Sequence, residues 1–318
     1  NETRGKLLSF YMLVSLCGMA CVQMLLNVAN PSSFELFVLV SLLISLAVIP
    51  ILLSTARAPQ IDVMENIGIL KLYQVSPLGV FGMFVTGMSL GTFFGMGAVY
   101  ATEMGLSVKD VSFFMGTLIL GGFLFQYPLG WLSDRFGPTK VIILCCVVGA
   151  VISFVAVIYT GQGLMFYTIV ATVGGLTMPL YSLCCVHTND YLTPTQMVAA
   201  SGTLVLLSAI GASVGSPVTA FAMEKLGPQA FYGSLGMMLT SVAIFAIWRS
   251  TQRAEIEIAE QGDFVVMATT SPLTASLNPD VNLAEIVAAA DEEAGDIQSS
   301  FEELVVDLES ADTSTREK

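Results

Sequence analysis

The segment "GWLSDRFGPTK", residues 130–140, places one acid, two bases and two glycines within eleven positions of an otherwise apolar region. An uncharged stretch, 111–132, runs into this segment, and another, 141–160, follows it directly. About 20 apolar residues in a helix cross the hydrocarbon core of a bilayer. The segment is therefore expected to be a loop at a membrane surface, between two spans.

The composition supports this interpretation. The chain has 318 residues, of which 54% are hydrophobic and 12% charged, and its mean hydropathy is +0.77. Soluble domains usually carry about 25% charged residues. Eight uncharged apolar stretches occur, at 7–28, 36–53, 78–101, 111–132, 141–160, 164–186, 197–223 and 229–248. A soluble bundle would need polar helix faces that these stretches lack. The sequence predicts an all-α, polytopic helical membrane protein whose surroundings are the lipid bilayer.

The net charge of −13 is concentrated in one part of the chain. Residues 1–248 hold nine acids and eight bases, whereas residues 249–318 hold sixteen acids and four bases. The acidity therefore belongs to the C-terminal tail, and no nucleic-acid partner is expected. The tail is predicted to be largely disordered, with a partly helical acidic segment that is either solvated or a docking segment for a partner.

Basic residues alternate between the loops and predict the orientation. One set of loops holds eight of them, and the other set holds only Lys109 and Lys225. The first set comprises Arg4, Lys6, Arg57, Lys71, Arg135, Lys140, Arg249 and Arg253. Cytoplasmic loops are enriched in Lys and Arg, so both termini and the 130–140 segment are expected to be cytoplasmic.

Four regions follow from this pattern. Residues 1–53 hold two spans, 54–77 form the longest loop, 78–248 hold six spans, and 249–318 form the acidic tail. The chain starts at Asn1 rather than Met and soon enters an apolar stretch. We therefore expect it to be the C-terminal part of a longer protein.

No catalytic, metal or cofactor site is predicted. The six cysteines all lie in apolar stretches, where free cysteine behaves as a small hydrophobe. The single histidine, His187, has no cysteine or histidine at metal-ligand spacing. The spans contain neither an HExxH motif nor paired carboxylates, so an enzyme is not expected.

The residues Gly130, Leu132, Asp134, Arg135, Gly137 and Lys140 resemble the signature G-x-L-x-D-R-x-G-R-[RK]-x of the major facilitator superfamily. Pro138 and Thr139 depart from that signature, which removes one or two bases. The stretches "GGFLFQYPLGWLSDRFG" and "TNDYL", and "GIL" before a Gly-rich span, resemble the YcaD-like bacterial branch of the superfamily.

The resemblance implies a fold and a function. The loop 54–77 is similar to the family's central cytoplasmic loop, so the eight spans would be spans 5–12 of 12, with the first four missing. The family implies a secondary active transporter of a small molecule that works by alternating access, in a bacterial inner membrane. On this interpretation the eight-span fragment does not transport by itself. The alternative is a membrane sensor or scaffold that signals through the acidic tail.

The family's arrangement also implies a role for the charged loop. Asp134 would lie against the helix start at Thr3–Lys6 and latch the two halves together, because an anion is stabilised at a helix N-terminus. Arg135 and Lys140 would orient Asp134, together with Asp190 from the next cytoplasmic loop. Gly130 and Gly137 would permit a tight turn. The alternative is a solvated turn whose charges only set the topology.

Uncharged polar and aromatic residues in the spans are the candidates for the substrate path. The family places its cavity between the two halves, and this implies a path along Gln23, Ser89, Phe93, Gln126, Thr177 and Tyr181. Ordinary helix packing is an equally good explanation for each of them. The spans contain no Asp, Glu, Lys, Arg or His, so either a coupling proton or ion uses the missing spans or the substrate moves without a proton relay here.

Overall fold

The computed structural model describes residues 34–53, 67–159, 161 and 163–252, together with the isolated helical positions 14, 18, 22 and 25. Within these residues the chain forms nine helices and no strand. They are α1 (Glu35–Leu53), α2 (Ile69–Val75), α3 (Pro77–Glu103), α4 (Val108–Phe136), α5 (Pro138–Ile158), α6 (Leu164–Thr177), α7 (Leu180–Asn189), α8 (Pro194–Leu226) and α9 (Ala230–Ser250). The predicted all-helical class is confirmed.

Six segments are long and apolar enough to cross a membrane. They are α3, α4, α5, the pair α6–α7 taken together, most of α8, and α9. They correspond to the six predicted spans between residues 78 and 248. Residues Glu35–Ile49 of α1 form a shorter apolar helix that overlaps the predicted stretch 36–53, and most of the stretch 7–28 lies outside the described residues. The described part is therefore that of an integral membrane protein.

The structure adds a helix and a break that the sequence did not predict. The end of the predicted loop 54–77 contains the short helix α2, and Pro77 already begins α3. The stretch 164–186 is interrupted: α6 ends at Thr177, and α7 begins at Leu180. Pro179 precedes α7, and proline lacks the backbone N–H that a continuous helix requires.

Side chains at the loops fix where two of the helices begin. Ser107 caps α4, where its hydroxyl accepts from the Asp110 backbone N–H at 3.3 Å. Thr193 and Gln196 form a reciprocal capping box at the start of α8. Such caps satisfy N–H groups that have no acceptor inside the helix. The turn between α4 and α5 contains Gly137, whose φ of 89° suits glycine and few other residues.

Small residues bring two helix pairs into backbone contact. Along α3 and α8, a Cβ added at Gly87 or Gly91 would overlap the backbone of Ser208 or Ala212. Along α4 and α6, a Cβ added at Gly121 would overlap the backbone of Ala171. Such close approach is the usual role of small residues between membrane helices. We call the contact between α3 and α8 the glycine seam.

The buried side chains form two clusters at opposite ends of the bundle. One contains Leu72, Ile142, Leu180 and Leu239, near the turn at Gly137. The other is aromatic and surrounds Tyr100, whose ring stacks on Phe231 with centroids 4.8 Å apart. We call the end of the bundle that carries Gly137 the motif end.

Candidate functional site

The charged segment of the sequence motif lies at the motif end. Asp134 and Arg135 belong to the last turn of α4, and Lys140 belongs to the first turn of α5. All three side chains are exposed, whereas Gly130 and Gly137 are buried. The glycines thus lie in the packed interior, and the charges face outward from it.

The guanidinium group of Arg135 lies over two aromatic rings of its own helix. It is 5.5 Å from the ring centroid of Trp131 and 5.9 Å from that of Phe136. A cation over an aromatic face is attracted by the ring quadrupole, by about 0.5–1 kcal/mol at exposed sites. The two rings favour this position of the Arg135 guanidinium group, a contribution that the sequence motif alone did not indicate.

Asp190 terminates α7 at the same end and is half-buried. The end of α4, the start of α5 and the end of α7 therefore lie at one end of the bundle, and the proposed gating roles of their charged residues stay predictions. The proposed partner of Asp134, the segment Thr3–Lys6, lies outside the described residues. The latch between the two halves stays a prediction.

Three predicted path residues lie on the helices that meet at the break between α6 and α7. Gln126 on α4 donates from Nε2 to Ser182 Oγ on α7 at 3.2 Å. Thr177 is the last residue of α6, and Tyr181 lies in the first turn of α7. Met178 and Pro179 keep right-handed helical dihedral angles, so the break is a proline kink within one span and not an unwound segment.

Thr177 stands out chemically within this group. Its side chain is 0% exposed, and its Oγ1 has no hydrogen-bond partner among the residues that the structure describes. A buried hydroxyl without a partner costs about 1–3 kcal/mol. Either a water or a ligand can complete its bonding. We call Gln126, Thr177, Tyr181 and Ser182 the break cluster.

The other two described path residues are packed in the interior. Ser89 donates to the Val85 carbonyl oxygen on its own helix at 3.0 Å and lies against Met238 of α9. Phe93 is 0% exposed, and its ring lies 6.3 Å from that of Phe231. These contacts account for both residues as packing, and a substrate role for them stays a prediction. Gln23 lies outside the described residues.

Sequence reasoning missed a second group of polar residues at the motif end. Thr139 Oγ1 on α5 lies 3.3 Å from Nδ1 of the buried His187 on α7. Both residues line a cleft that is also lined by Ser76 and Arg249. These residues come from four distant parts of the chain, so no local spacing could have indicated the cleft. The one available signal was a lone histidine at the end of an apolar stretch.

No metal centre is found in the part of the chain that the structure describes, since no three metal-binding side chains cluster there. The four described cysteines, Cys145, Cys146, Cys184 and Cys185, are buried and free. This agrees with their interpretation as small hydrophobic residues.

Comparison with known proteins gives a consistent family result. Residues 79–288, more than half of the chain, match the family model of the Major Facilitator Superfamily. The chain is 26% identical over 246 residues to proteins described as the uncharacterized MFS-type transporter YcaD, from Escherichia fergusonii, Salmonella arizonae and Escherichia coli. These matches cover 76% of this chain but span only 62% of each relative. No solved structure matches the chain.

Proposed function

Since this chain belongs to the Major Facilitator Superfamily, we propose that it is part of a secondary transporter that carries a small molecule across a bacterial inner membrane. Six described segments long enough to cross a bilayer support this proposal. The two halves would rock about a site near the midplane and expose it to each side in turn. The expectation that four further spans precede Asn1 stays a prediction.

The observation that carries the proposal is the break cluster. It combines a span kinked at Pro179, a hydrogen bond between α4 and α7, and a buried hydroxyl on Thr177 that has no partner among the described residues. These polar groups have no charge, which favours an uncharged or amphipathic substrate. The coupling proton or ion would act through spans other than the six of the described bundle, whose uncharged interiors offer no proton relay.

The proposal also gives the motif end a role. We infer that this end faces the cytoplasm, because it carries Arg135, Lys140 and Arg249, whereas Lys109 and Lys225 lie at the opposite end. Asp134 would hold the two halves closed on that side, with Arg135 positioned over Trp131. Asp134→Asn would then shift the balance of inward-open and outward-open states. The latch is wrong if distance measurements between spin labels on the two halves give the same populations in both proteins.

The sharpest test of alternating access does not need the substrate. A cysteine placed at Gln126, which is half-buried, should react with a membrane-impermeant maleimide from both sides of the membrane. Right-side-out and inside-out vesicles containing the full-length protein would be labelled in parallel. The parent protein without the added cysteine gives the background.

The matched control is Ser89→Cys, since Ser89 is 0% exposed and packed against α9. It should stay unlabelled from either side. Labelling of Gln126→Cys from one side only would contradict alternating access and favour the sensor or scaffold alternative.

That alternative depends on the tail beyond residue 252, which lies outside the described residues. Deleting the tail should leave flux intact in a transporter, whereas a scaffold would lose its partner.

A further inference from the structure

The chain leaves the six described spans at the motif end. Helix α9 ends there at Ser250, and the described residues stop two positions later, at Gln252. The next 28 residues, 253–280, separate α9 from the acidic segment 281–308. A chain spans up to about 3.3 Å per residue when extended, so these 28 residues can bridge up to about 90 Å. The acidic segment can therefore reach any point on the motif end.

The sequence of residues 281–308 predicts an amphipathic helix with an acidic face. The segment contains eight acids and no Lys or Arg. Ser300 and Glu303 have the spacing of a capping box, which predicts a helix start at this point. The apolar residues that follow have the i, i+3, i+4, i+7 spacing of one helix face: Phe301, Leu304, Val305 and Leu308. A surface that fits this segment has to offer both bases and exposed apolar groups.

The charges of the bundle favour the motif end as that surface. Among the described residues of α2 to α9, the motif end carries four bases and two acids, namely Lys71, Arg135, Lys140, Arg249, Asp134 and Asp190. The opposite end carries two bases and three acids, namely Lys109, Lys225, Glu103, Asp110 and Glu224. An acidic segment is therefore attracted to the motif end and repelled by the opposite end.

Helix α2 supplies exposed apolar groups at the motif end. Its Leu72 is fully buried, whereas Leu70 is 82% exposed and Tyr73 is 46% exposed. Leu70 and Tyr73 are three positions apart, so they lie on one face of the helix, and the exposed base Lys71 lies at its edge. Within the described part of the chain this apolar face is left uncovered.

Bases from two other helices lie beside α2. Val75, the last residue of α2, lines one cleft together with Thr139 of α5 and Arg249 of α9. Lys140 follows Thr139 and is exposed, and Lys71 lies about one helical turn before Val75. The uncovered face of α2 is thus surrounded by bases from α2, α5 and α9. We call the following residues the α2 surface: Leu70, Lys71, Tyr73, Lys140 and Arg249.

A lipid surface fits the acidic segment less well than the α2 surface does. Helices that lie on membranes carry Lys and Arg on their polar face, whereas residues 281–308 carry only acids there. Anionic lipid headgroups attract basic segments and repel acidic ones. The apolar face of the segment is therefore better covered by a surface that is basic and apolar at once.

We propose that residues 281–308 dock on the α2 surface of their own chain. The apolar positions Phe301 and Leu304 cover Leu70 and Tyr73, and the neighbouring acids pair with the bases around α2. The bundle itself is then the partner of the tail, and the docked segment connects the end of α9 to α2. Docking involves no residue of the break cluster, so flux does not require it.

The first test is site-specific photocrosslinking in the full-length protein, purified in neutral detergent. p-Benzoylphenylalanine replaces Tyr73, and mass spectrometry identifies the crosslinked peptides. Peptides from residues 281–308 should be recovered from protein that migrates as a monomer in a denaturing gel. Phe113 is the matched control position, because it is an aromatic residue of α4 that is 42% exposed at the opposite end. It should give no crosslink to the tail.

The second test reverses charges in the tail, so the bundle keeps its own sequence. Glu302→Lys combined with Glu303→Lys should lower the crosslinking yield at Tyr73 about threefold or more, because each exposed ion pair contributes little and two are lost. The matched control is Glu255→Lys combined with Glu257→Lys, which changes the net charge equally outside the docking segment. Its yield should equal that of the parent. Added salt should lower the yield of the parent, since exposed charges are screened.

The apolar contact has its own variant. Leu304→Asp places a charge on the predicted apolar face while it makes the tail more acidic. Docking through that face predicts a lower crosslinking yield, whereas attraction by charge alone predicts an equal or higher one. An equal or higher yield would therefore overturn the proposed contact with Leu70 and Tyr73.

Three further outcomes would overturn the proposal. Crosslinks from Tyr73 to detergent or lipid without any tail peptide would assign the α2 surface to the membrane. Tail crosslinks found only in dimers would show exchange between two copies. Equal yields for the charge reversal at Glu302 and Glu303 and for its control would leave only non-specific attraction. None of these experiments measures transport, so their failure leaves the proposed function untouched.

Discussion

Gln126 on α4 and Ser182 on α7 are joined by a hydrogen bond of 3.2 Å, close to the break between α6 and α7. Fifty-six positions separate the two residues in the chain. Interhelical hydrogen bonds in membranes contribute about 0.6 kcal/mol on average, because polar groups also find partners in the unfolded state. The bond therefore positions Gln126 more than it stabilises the bundle.

A double-mutant cycle tests that statement. Gln126→Ala and Ser182→Ala should each lower the free energy of unfolding, and their coupling should be about 0.6 kcal/mol. Reversible unfolding in detergent measures all four proteins. A coupling near zero would mean that the two side chains do not act as a pair.

The hydroxyl of Thr177 should be dispensable for folding but not for transport. Thr177→Val removes a buried hydroxyl without a partner, so stability should stay the same or rise by about 1 kcal/mol. Thr219→Val is the matched control, because Thr219 is equally buried but shares a 2.8 Å hydrogen bond with Thr92.

Thermal unfolding compares these two variants, and Thr219→Val should be the less stable. Once a substrate has been identified, its transport rate should fall in Thr177→Val and stay unchanged in Thr219→Val. Equal destabilisation of the two variants would show that Thr177 has a bonding partner in the folded protein.

The glycine seam predicts opposite results for two glycines of the same helix. A Cβ at Gly211 on α8 would overlap the Phe84 carbonyl oxygen of α3, so Gly211→Ala should destabilise by about 1–3 kcal/mol. Gly202 has no atom near its Cβ position, so Gly202→Ala should stabilise by up to about 1 kcal/mol through helix propensity. Unfolding midpoints of the two variants are the measurement, and the same sign for both would contradict the seam.

The turn between α4 and α5 should depend on the backbone of Gly137. Its φ of 89° lies where a side chain costs about 1–3 kcal/mol, so Gly137→Ala should destabilise by that amount. Gly68→Ala is the control, because Gly68 has φ −61° and open space at its Cβ position. The two unfolding midpoints should differ by several degrees, and equal midpoints would show that the turn relaxes.

The sequence predicted the spans well because each span carries its own signal. A run of about 20 uncharged apolar residues is a local property, and the six runs between 78 and 248 all appear as helices. The break after Thr177 was missed because the run stays long and uncharged across Met178 and Pro179, although Pro179 itself was an available signal. The short helix Ile69–Val75 was missed because a seven-residue helix is maintained by its packing, including the fully buried Leu72, and not by its own propensity.

The candidate sites also differ in how far the local sequence indicates them and how far they depend on helix packing. The motif could be proposed as a site from the sequence, since Asp134, Arg135 and Gly137 lie within four positions and resemble a known signature, and its role stays a prediction. The choice among polar residues in the spans was not predictable, because helical spacing does not show which face meets which neighbour. Ser89 and Phe93 share one helical face, and that face packs against α9.

The glycine seam limits the mechanical behaviour of α3 and α8. The contacts of Gly87 with Ser208 and of Gly91 with Ala212 recur every four residues, and the seam continues from Gly95 to Ser216. At a rise of 1.5 Å per residue, sliding one helix by about 6 Å restores a glycine opposite a small residue, whereas shorter slides drive side chains into backbone. The two helices therefore have discrete packing registers, which differ by four residues. Between these registers α3 and α8 are expected to move together as one rigid unit, because small relative displacements along the helix axes are blocked by steric overlap.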